Sequence, residues 1–237
     1  MPESQPVIEK LAEYERLLVA ESKVQNLIGP GTVDDVWGKH FADSALGLAA
    51  LRDADVPRGT WGQGARVLDI GSGAGLPGIP LKMLRPDFRV CLLEPRLKRA
   101  AFLRKVVDAL GLTEVEVLSR RAEDAAHTPG YRDGFDLATV RAVSDLPVLL
   151  EYGLPFLRKD GILICYKGPS VTGELAGALL VCPQLGGSLN AVRDYLLPGG
   201  VGRRTLVLFR KTGNTPAKFP RKAGIPEKRP LATQTQS

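Results

Sequence analysis

Two stretches near the N-terminus repeat apolar residues at steps of three and four, which is the spacing of one face of an α-helix. The first stretch covers residues 7–28, and the second covers residues 33–48 with Thr32 or Asp34 available as its N-cap. The pattern predicts two amphipathic helices. We expect them to form an N-terminal helical extension over residues 1–56 that packs on the domain that follows.

Short apolar runs alternate with stretches of helical spacing over most of residues 57–210. Helical spacing is clearest over 96–110 and 146–152. Strands separated by helices predict a parallel, doubly wound sheet. Two final runs, 193–197 and 205–209, are joined by a Gly-rich linker and predict an antiparallel hairpin that closes the sheet. The earlier strand-like runs are 67–70, 90–94, 115–118, 135–140 and 161–166.

A glycine-rich turn follows the first predicted strand without a gap. Gly71, Gly73 and Gly75 come at alternate positions. Glycine adopts positive φ readily and leaves no Cβ between the backbone and a ligand. A helix that begins near Gly78 would direct its free N–H groups and the positive end of its dipole at the same ligand. The turn therefore predicts a binding site for a nucleotide-like cofactor.

Two cofactor classes fit this turn, and an ordinary turn without a ligand is a third interpretation. The spacing Gly73-x-Gly75-x-x-Gly78 satisfies the dinucleotide fingerprint, and Glu94 stands where a ribose-binding acid belongs. Asp69, two residues before the glycines, instead resembles the first motif of Rossmann-like methyltransferases that bind S-adenosylmethionine (SAM). Its carboxylate could help to hold the amino group of the methionine part, whereas Glu94 suits the ribose of either cofactor. The closing hairpin is also typical of a methyltransferase, so the pattern favours SAM.

Polar residues follow the predicted strands at their carboxyl ends, which is the edge where ligands bind in open α/β sheets. Glu94 could accept hydrogen bonds from the ribose, and Glu123 could accept one from the adenine amine. Their convergence on one edge predicts the position of the site. Strand by strand, these residues are Gly71, Glu94, Ala122 with Glu123, Arg141 and Lys167.

The fourth predicted strand ends in Thr139-Val140-Arg141-Ala142 and lacks two motifs of base methylation. It has no Asn-Pro-Pro-aromatic run to cradle an exocyclic amine, and no Pro-Cys pair to form a covalent intermediate with cytosine. Transfer to an atom that is already nucleophilic fits better, and guanine N7 is such an atom. Catalysis would then consist of alignment and electrostatic steering without a general base. His40 and Asp43 could form a catalytic pair, but the pattern favours a hydrogen-bonded pair on the helix surface that packs against the cofactor domain, so both are kept only as substrate-side candidates.

Composition excludes several classes of protein. The apolar fraction of 44% is ordinary for a globular protein, and no run reaches the ~18 apolar residues that a membrane span needs. The N-terminus lacks the basic and apolar regions of an export signal. Cys91, Cys165 and Cys182 are interpreted as thiols in a reducing cytoplasm, the first two buried in strands. No Cys/His spacing suggests a metal site.

Positive charge is concentrated near the C-terminus. The chain has a net charge of +6, but residues 203–229 contain nine Lys or Arg residues and one acidic residue, so this stretch carries +8 and the rest −2. A basic segment beside a cofactor domain predicts contact with a polyanion. A solubilising disordered tail is the alternative. We expect a basic, flexible tail over residues 211–237.

Together these motifs resemble the RsmG family, also called GidB, of bacterial 16S rRNA guanine-N7 methyltransferases. The resemblance covers about residues 10–231, and the turn from Asp69 to Leu81 matches almost throughout. Lys39, Thr205 and Glu94 depart from the Arg, His and Asp that are frequent in the family, and the first two bear on the geometry of the RNA side. Further matches are Val36-Trp37 with His40 and Asp43-Ser44, Lys98-Arg99 with Phe102-Leu103, Arg121-Ala122-Glu123, Arg141-Ala142, Lys167-Gly168 and the tail from Phe219 to Leu231.

The resemblance implies a Rossmann-like, SAM-dependent methyltransferase domain over residues 57–210. It implies a cytoplasmic monomer, not bound to a membrane, that acts on one guanine in the 530 loop of 16S rRNA, within the 30S subunit or its assembly intermediate. Methylation of another RNA base or of a small molecule, and a non-catalytic ribosome assembly factor, are the alternatives.

The resemblance also assigns roles to individual residues. Asp69, Gly73 and Glu94 are added to the SAM contacts from the turn and the second strand. Positioning and electrostatic roles near phosphates fall to Arg121, Arg141, Lys167 and Arg204. The SAM contacts that the family implies directly are Gly71, Leu76, Ala122, Glu123 and Arg141.

Overall fold

The computed structural model describes residues 5–52, 63–141, 143–200 and 202–231. In this part of the chain seven strands form one sheet, in the order β3-β2-β1-β4-β5-β7-β6. The strands are β1 Arg66–Ile70, β2 Arg89–Leu93, β3 Val115–Leu118, β4 Phe135–Arg141, β5 Leu157–Lys167, β6 Gly187–Leu196 and β7 Arg203–Lys211.

The sheet confirms the predicted α/β fold with a closing hairpin. Strands β1 to β5 pair in parallel, whereas β7 runs antiparallel to both β5 and β6. The central strands β1 and β4 are buried along almost their whole length. Apart from Asp69 in β1 and from Asp136 and Thr139 in β4, their inner residues are apolar, because helices cover both faces of a parallel sheet.

Eight α-helices lie in the described residues, and the sequence pattern predicts most of the longer ones. The short helices α5 and α8, and the helix α7, were not predicted. The helices are α1 Gln5–Gln25, α2 Ala42–Arg52, α3 Gly78–Leu84, α4 Leu97–Ala109, α5 Ala122–Ala125, α6 Leu146–Gly153, α7 Thr172–Val181 and α8 Ile225–Lys228.

The second predicted N-terminal helix is wrong in its first half. A 3-10 turn over Pro30–Asp35 and a π turn over Trp37–Phe41 precede α2. The Asp35 carboxylate accepts a hydrogen bond from the Gly38 N–H at 2.9 Å. This local side-chain bond competes with the regular helical ladder and breaks the α-helical register. Residues 1–4 and 53–56 of the predicted extension lie outside the described residues.

Two apolar clusters cover the two faces of the sheet. One joins α1, α3 and α4 to the sheet and includes the fully buried Tyr14 and Leu18. The other joins α6 and α7 and includes Leu149 and Phe156. The Tyr14 hydroxyl donates to the Ala74 carbonyl at 2.6 Å, so α1 supports the glycine turn directly. None of the helices in the described ranges is long and apolar enough to cross a membrane.

The segment after β7 packs against the domain, in contrast to the flexible tail that composition suggests. The Arg132 guanidinium donates to the carbonyls of Thr215 at 2.7 Å and Phe219 at 2.9 Å. Lys211 is 1% exposed and donates to the Leu154 carbonyl at 2.6 Å. Composition does not predict this packing, because a count of charges does not show which of them are paired inside the folded protein. The domain boundary at residue 210 stays a prediction.

Candidate active site

The glycine turn between β1 and α3 has the geometry that its sequence predicts. Gly71, Gly73 and Gly75 have φ values of +67°, +56° and +95°, which L side chains rarely adopt. The amides of Gly71 and Ser72 both donate to the Leu93 carbonyl, at 2.8 and 3.0 Å. A Cβ at Gly71 would stand 2.9 Å from the Val143 side chain. Hydrogen bonds therefore hold the turn against β2, and position 71 has room only for glycine.

Asp69 has a different position from the predicted one. Its side chain is 1% exposed and accepts hydrogen bonds from the Thr139 hydroxyl at 2.9 Å and the Gly78 N–H at 3.2 Å. Burial raises the pKa of this carboxyl to about 6, against the opposing effect of its hydrogen bonds. The carboxylate thus fixes the start of α3 from inside the protein, and the contact predicted with the amino group of SAM is not supported by this geometry.

Glu94 joins the second strand to the turn. One carboxylate oxygen accepts from the Gly73 N–H at 2.9 Å and the other from the Arg96 N–H at 2.8 Å. A carboxylate has about four acceptor positions, so capacity is left for ribose hydroxyls. The side chain also lines a large cavity, where the sequence prediction places it.

This larger cavity has a volume of about 990 Å³ and opens at the carboxyl ends of β1, β2 and β3. Leu76 is buried under the turn, and Ala122 is half-buried as the first residue of α5. The cavity is large enough for a nucleoside with an attached amino acid. Its lining includes Gly71, Glu94, Arg99, Arg121, Val143 and Glu227.

Glu123 faces the C-terminal segment and not the larger cavity. Its side chain is 5% exposed, and one oxygen accepts from the Gly224 N–H at 2.9 Å and from the Tyr152 hydroxyl at 3.4 Å. These partners do not support the predicted contact between this carboxylate and the adenine amine, which stays a prediction. The strand-end rule located α5 correctly but could not tell which way its side chains point.

A smaller cavity of about 370 Å³ lies at the ends of β4, β5 and β7. It brings together three of the four residues predicted to lie near phosphates, whereas Arg121 lies on the larger cavity. Arg141 lines the smaller cavity and Val143 lines the larger one, so the two adjoin at the end of β4. The lining of the smaller cavity includes His40, Asp43, Arg141, Tyr166, Lys167 and Arg204.

Arg141 connects the N-terminal layer to the sheet. Its guanidinium donates to the Asp43 carboxylate at 3.0 Å and to His40 Nδ1 at 3.3 Å. Asp43 is 3% exposed and also accepts from the Tyr195 hydroxyl at 2.7 Å. His40 and Asp43 are thus connected through Arg141. Neither of the two pairings predicted from the sequence includes this residue.

Tyr166 and Tyr195 are residues of this site that the sequence analysis missed. The rule of strand ends could have found Tyr166, because it directly precedes Lys167 on β5. Tyr195 is 152 positions from Asp43. No local signal in the sequence connects them.

His40 is uncharged at neutral pH. Burial, and to a lesser degree the positive charges of Arg141, Arg204 and Lys39, together lower its pKa to about 4. Because Arg141 donates to Nδ1, the imidazole proton is on Nε2. Nε2 is buried and makes no hydrogen bond within the described part of the chain. A neutral N–H donor without a partner is therefore buried in the wall of the smaller cavity.

Lys167 and Arg204 contribute charge to the smaller cavity to different degrees. The Lys167 ammonium forms an ion pair with Glu174 at 2.7 Å and donates to the Ser144 carbonyl at 2.9 Å. Arg204 is half-buried and donates to the carbonyl of Arg203 at 3.0 Å. Arg204 thus keeps more of its positive charge available for an anionic ligand than Lys167 does.

The sheet order, the glycine turn and the two cavities define the class of SAM-dependent methyltransferases. Solved structures of that class share the fold. TYW2 of M. jannaschii in complex with AdoMet has a TM-score of 0.50 and 15% identity, covering 71% of this chain and 76% of that one. Precorrin-6y C5,15-methyltransferase of Geobacter metallireducens has a TM-score of 0.52 and 16% identity, covering 80% and 92%.

Closer relatives identify the family. The family model for rRNA small subunit methyltransferase G matches residues 7–193. The ribosomal RNA small subunit methyltransferase G of Carboxydothermus hydrogenoformans is 42% identical over 94% of this chain and 92% of its own length. That of Moorella thermoacetica is 41% identical over 94% and 90%. The chain belongs to this family, GidB, and the resemblance seen in the sequence is confirmed.

Proposed function

We propose that the protein transfers a methyl group from SAM to N7 of a guanine in the 530 loop of 16S rRNA. The observation that carries this proposal is the pair of adjoining cavities at the end of β4, in a chain of the GidB family. One cavity is suited to the methyl donor and the other to the acceptor base.

The larger cavity fits SAM. Gly71 leaves room for a ligand where a Cβ would approach Val143, and Glu94 keeps acceptor positions for ribose hydroxyls. Bound there, SAM would supply an electrophilic methyl group. Backbone contacts from Gly73, Leu76 and Ala122 stay predictions.

The smaller cavity fits a nucleotide. Arg141, Lys167 and Arg204 give it positive charge beside a neutral His40. Guanine N7 carries a free lone pair, so the protein has to align it with the methyl group and stabilise charge, without removing a proton. We place the reaction in the cytoplasm, on the 30S subunit or its assembly intermediate, and assign it to a monomer with Arg121 near the RNA or the cofactor.

The test is methyl transfer from labelled SAM to 30S subunits, assembly intermediates and naked 16S rRNA, with the modified base mapped by primer extension and mass spectrometry. We expect label on N7 of one guanine in the 530 loop. Arg141→Ala should reduce transfer by about 100-fold, as expected when one positioning charge is lost.

Circular dichroism checks that the same variant is folded, and SAM calorimetry measures how much of the loss is due to weaker binding of the methyl donor, which the resemblance also assigns to Arg141. Label on another base, or on a metabolite and not on ribosomal particles, would support the small-molecule or other-base alternatives. SAM binding without turnover on any of the three substrates would indicate an assembly factor.

A further inference from the structure

The C-terminal segment 215–231 reaches the larger cavity at one point and the helix beside the cavity at another. Glu227, in α8, lines the cavity directly. The Gly224 N–H donates to Glu123 at 2.9 Å, and Glu123 belongs to α5, which begins immediately after the cavity residue Arg121. The segment therefore forms part of the cavity and also contacts the helix beside it.

An ion pair between Glu151 and Arg221 holds this segment in place. Glu151 is 0% exposed, and its carboxylate accepts from the Arg221 backbone N–H at 2.8 Å, from Nε at 2.9 Å and from Nη2 at 2.6 Å. A buried carboxylate without a partner is strongly unfavourable. The pair thus fixes the backbone three residues before Gly224.

Two further contacts tie the same stretch to the elements around α5. His127 Nε2 lies 2.8 Å from the Pro220 carbonyl, and the Arg132 guanidinium donates to the Phe219 carbonyl at 2.9 Å. Phe219 itself is 5% exposed and belongs to the apolar cluster under α6. His127 also lines the larger cavity. His127 therefore contacts the C-terminal segment and lines the larger cavity at the same time.

We propose that residues 215–231 are a wall of the SAM site, and that Glu151 and Arg221 are positioning residues that set SAM affinity through Gly224, Glu123 and Glu227. This inference depends on the proposed function, because it requires SAM to occupy the larger cavity. It assigns the C-terminal segment a role in binding the methyl donor, separate from any contact with RNA.

Reciprocity gives a first test without mutation. If the ordered segment favours SAM binding, SAM must favour the ordered segment by the same factor. Hydrogen exchange of the wild-type protein should show α8 and the Gly224 amide exchanging about 10-fold more slowly with saturating SAM. The amides of α7, whose residues are not among those lining the two cavities in the described chain, serve as the internal control. Unchanged exchange in α8 would overturn the proposal.

Variants give the second test. Arg221→Ala should raise the Kd for SAM by about 10-fold, within the range of ordinary coupling between sites. The matched control is Arg210→Ala, which removes another arginine–carboxylate pair, with Asp160 at 2.7 Å, away from both cavities. It should leave the Kd for SAM unchanged.

The double variant Glu151→Gln/Arg221→Ala separates positioning from plain stability. It removes the unpaired buried charge, so thermal stability should recover towards wild type while SAM affinity stays weak. Recovery of both, or wild-type SAM affinity in Arg221→Ala, would refute the role of the pair. Failure of the wild-type protein itself to bind SAM would count against the proposed function instead.

Discussion

At the scale of single residues, the smaller cavity is organised by Arg141. Its two partners differ in charge: Asp43 is a buried acceptor and His40 a neutral imidazole. Charged groups from several elements face His40. The positive ones are Arg141 on β4, Arg204 on β7 and the preceding residue Lys39. The negative ones are Asp35 and Asp43, and Asp43 is paired with Arg141. Burial is the main reason why protonation of the imidazole is disfavoured, and the prevailing positive charge around it acts in the same direction.

The low pKa of His40 predicts a dependence of stability on pH. The folded pKa is about 4 and the unfolded one about 6.5, so between these values the unfolded chain binds more protons. The unfolding free energy should fall as pH decreases from 6.5 towards 4, by roughly 2 to 3 kcal/mol from this residue. In His40→Gln, the unfolding free energy should fall by this much less between pH 7 and pH 4.5. Denaturant titrations of both proteins at the two pH values measure the difference.

Two-dimensional NMR gives an independent check, since the chain has two histidines. The imidazole signal that disappears in His40→Gln should titrate with a midpoint of about 4 in the wild-type protein. A midpoint near 6.5 for that signal would contradict the neutral donor described above.

At the scale of elements, the turn between β1 and α3 works because each glycine meets a different neighbour. A Cβ at Gly71 would approach Val143, whereas a Cβ at Gly75 would approach Ile79 within 2.4 Å, an overlap. Gly78 is limited by Leu92 and by Asp69. The turn thus requires glycine both for φ and for close packing, and only Gly71 is limited by a residue of the cavity wall.

Gly71→Ala should weaken SAM binding by more than its cost in stability explains. The matched control is Gly111→Ala, since Gly111 has a φ of +57° and open space around its Cβ position. Both variants should lose about 1 kcal/mol of stability from the left-handed backbone. Calorimetry should show reduced SAM affinity only for Gly71→Ala, with partial recovery in Gly71→Ala/Val143→Ala. Equal SAM affinity in the two single variants would show that the contact between position 71 and Val143 does not affect SAM binding.

At the scale of the whole molecule, folding divides the basic C-terminal stretch into two groups. Lys211 and Arg221 are paired inside the protein with Asp133 and Glu151. Arg210 is also paired, with Asp160, whereas the exposed basic residues after β7 are available to a polyanion, which supports the RNA contact that composition predicts. Those exposed residues are Lys218, Lys222, Lys228 and Arg229.

Replacing these four exposed residues by Gln should weaken RNA binding and flatten its dependence on salt. Each phosphate contact contributes about 0.7 to 0.9 to the slope of log K against log salt, so a loss of up to about 3 is expected. The control is Arg85→Gln/Arg89→Gln, at the opposite edge of the sheet beside the start of β2. An unchanged slope in the fourfold variant would favour the solubilising alternative.

Structural features that are determined by residues close together in the sequence could be predicted. The run Gly71 to Gly75 predicts the turn, and alternating apolar runs predict the strands, because both signals are contiguous in the chain. The helix α7 escaped prediction because its apolar residues do not all face inward: Leu179 and Leu180 are 46% and 59% exposed. The break before α2 escaped because one hydrogen bond, from Gly38 to Asp35, overrides the helical period.

The sequence by itself determined the fold class, the edge of the sheet at which the two cavities open and the family. Only the tertiary structure decided which way the acids face and what they bind. Asp69 points into the protein, Glu123 binds the amide of Gly224 and Asp43 binds Arg141 and Tyr195. The physical reason is that a hydrogen bond depends on distance in space, and these partners are joined only when the sheet and its hairpin have formed.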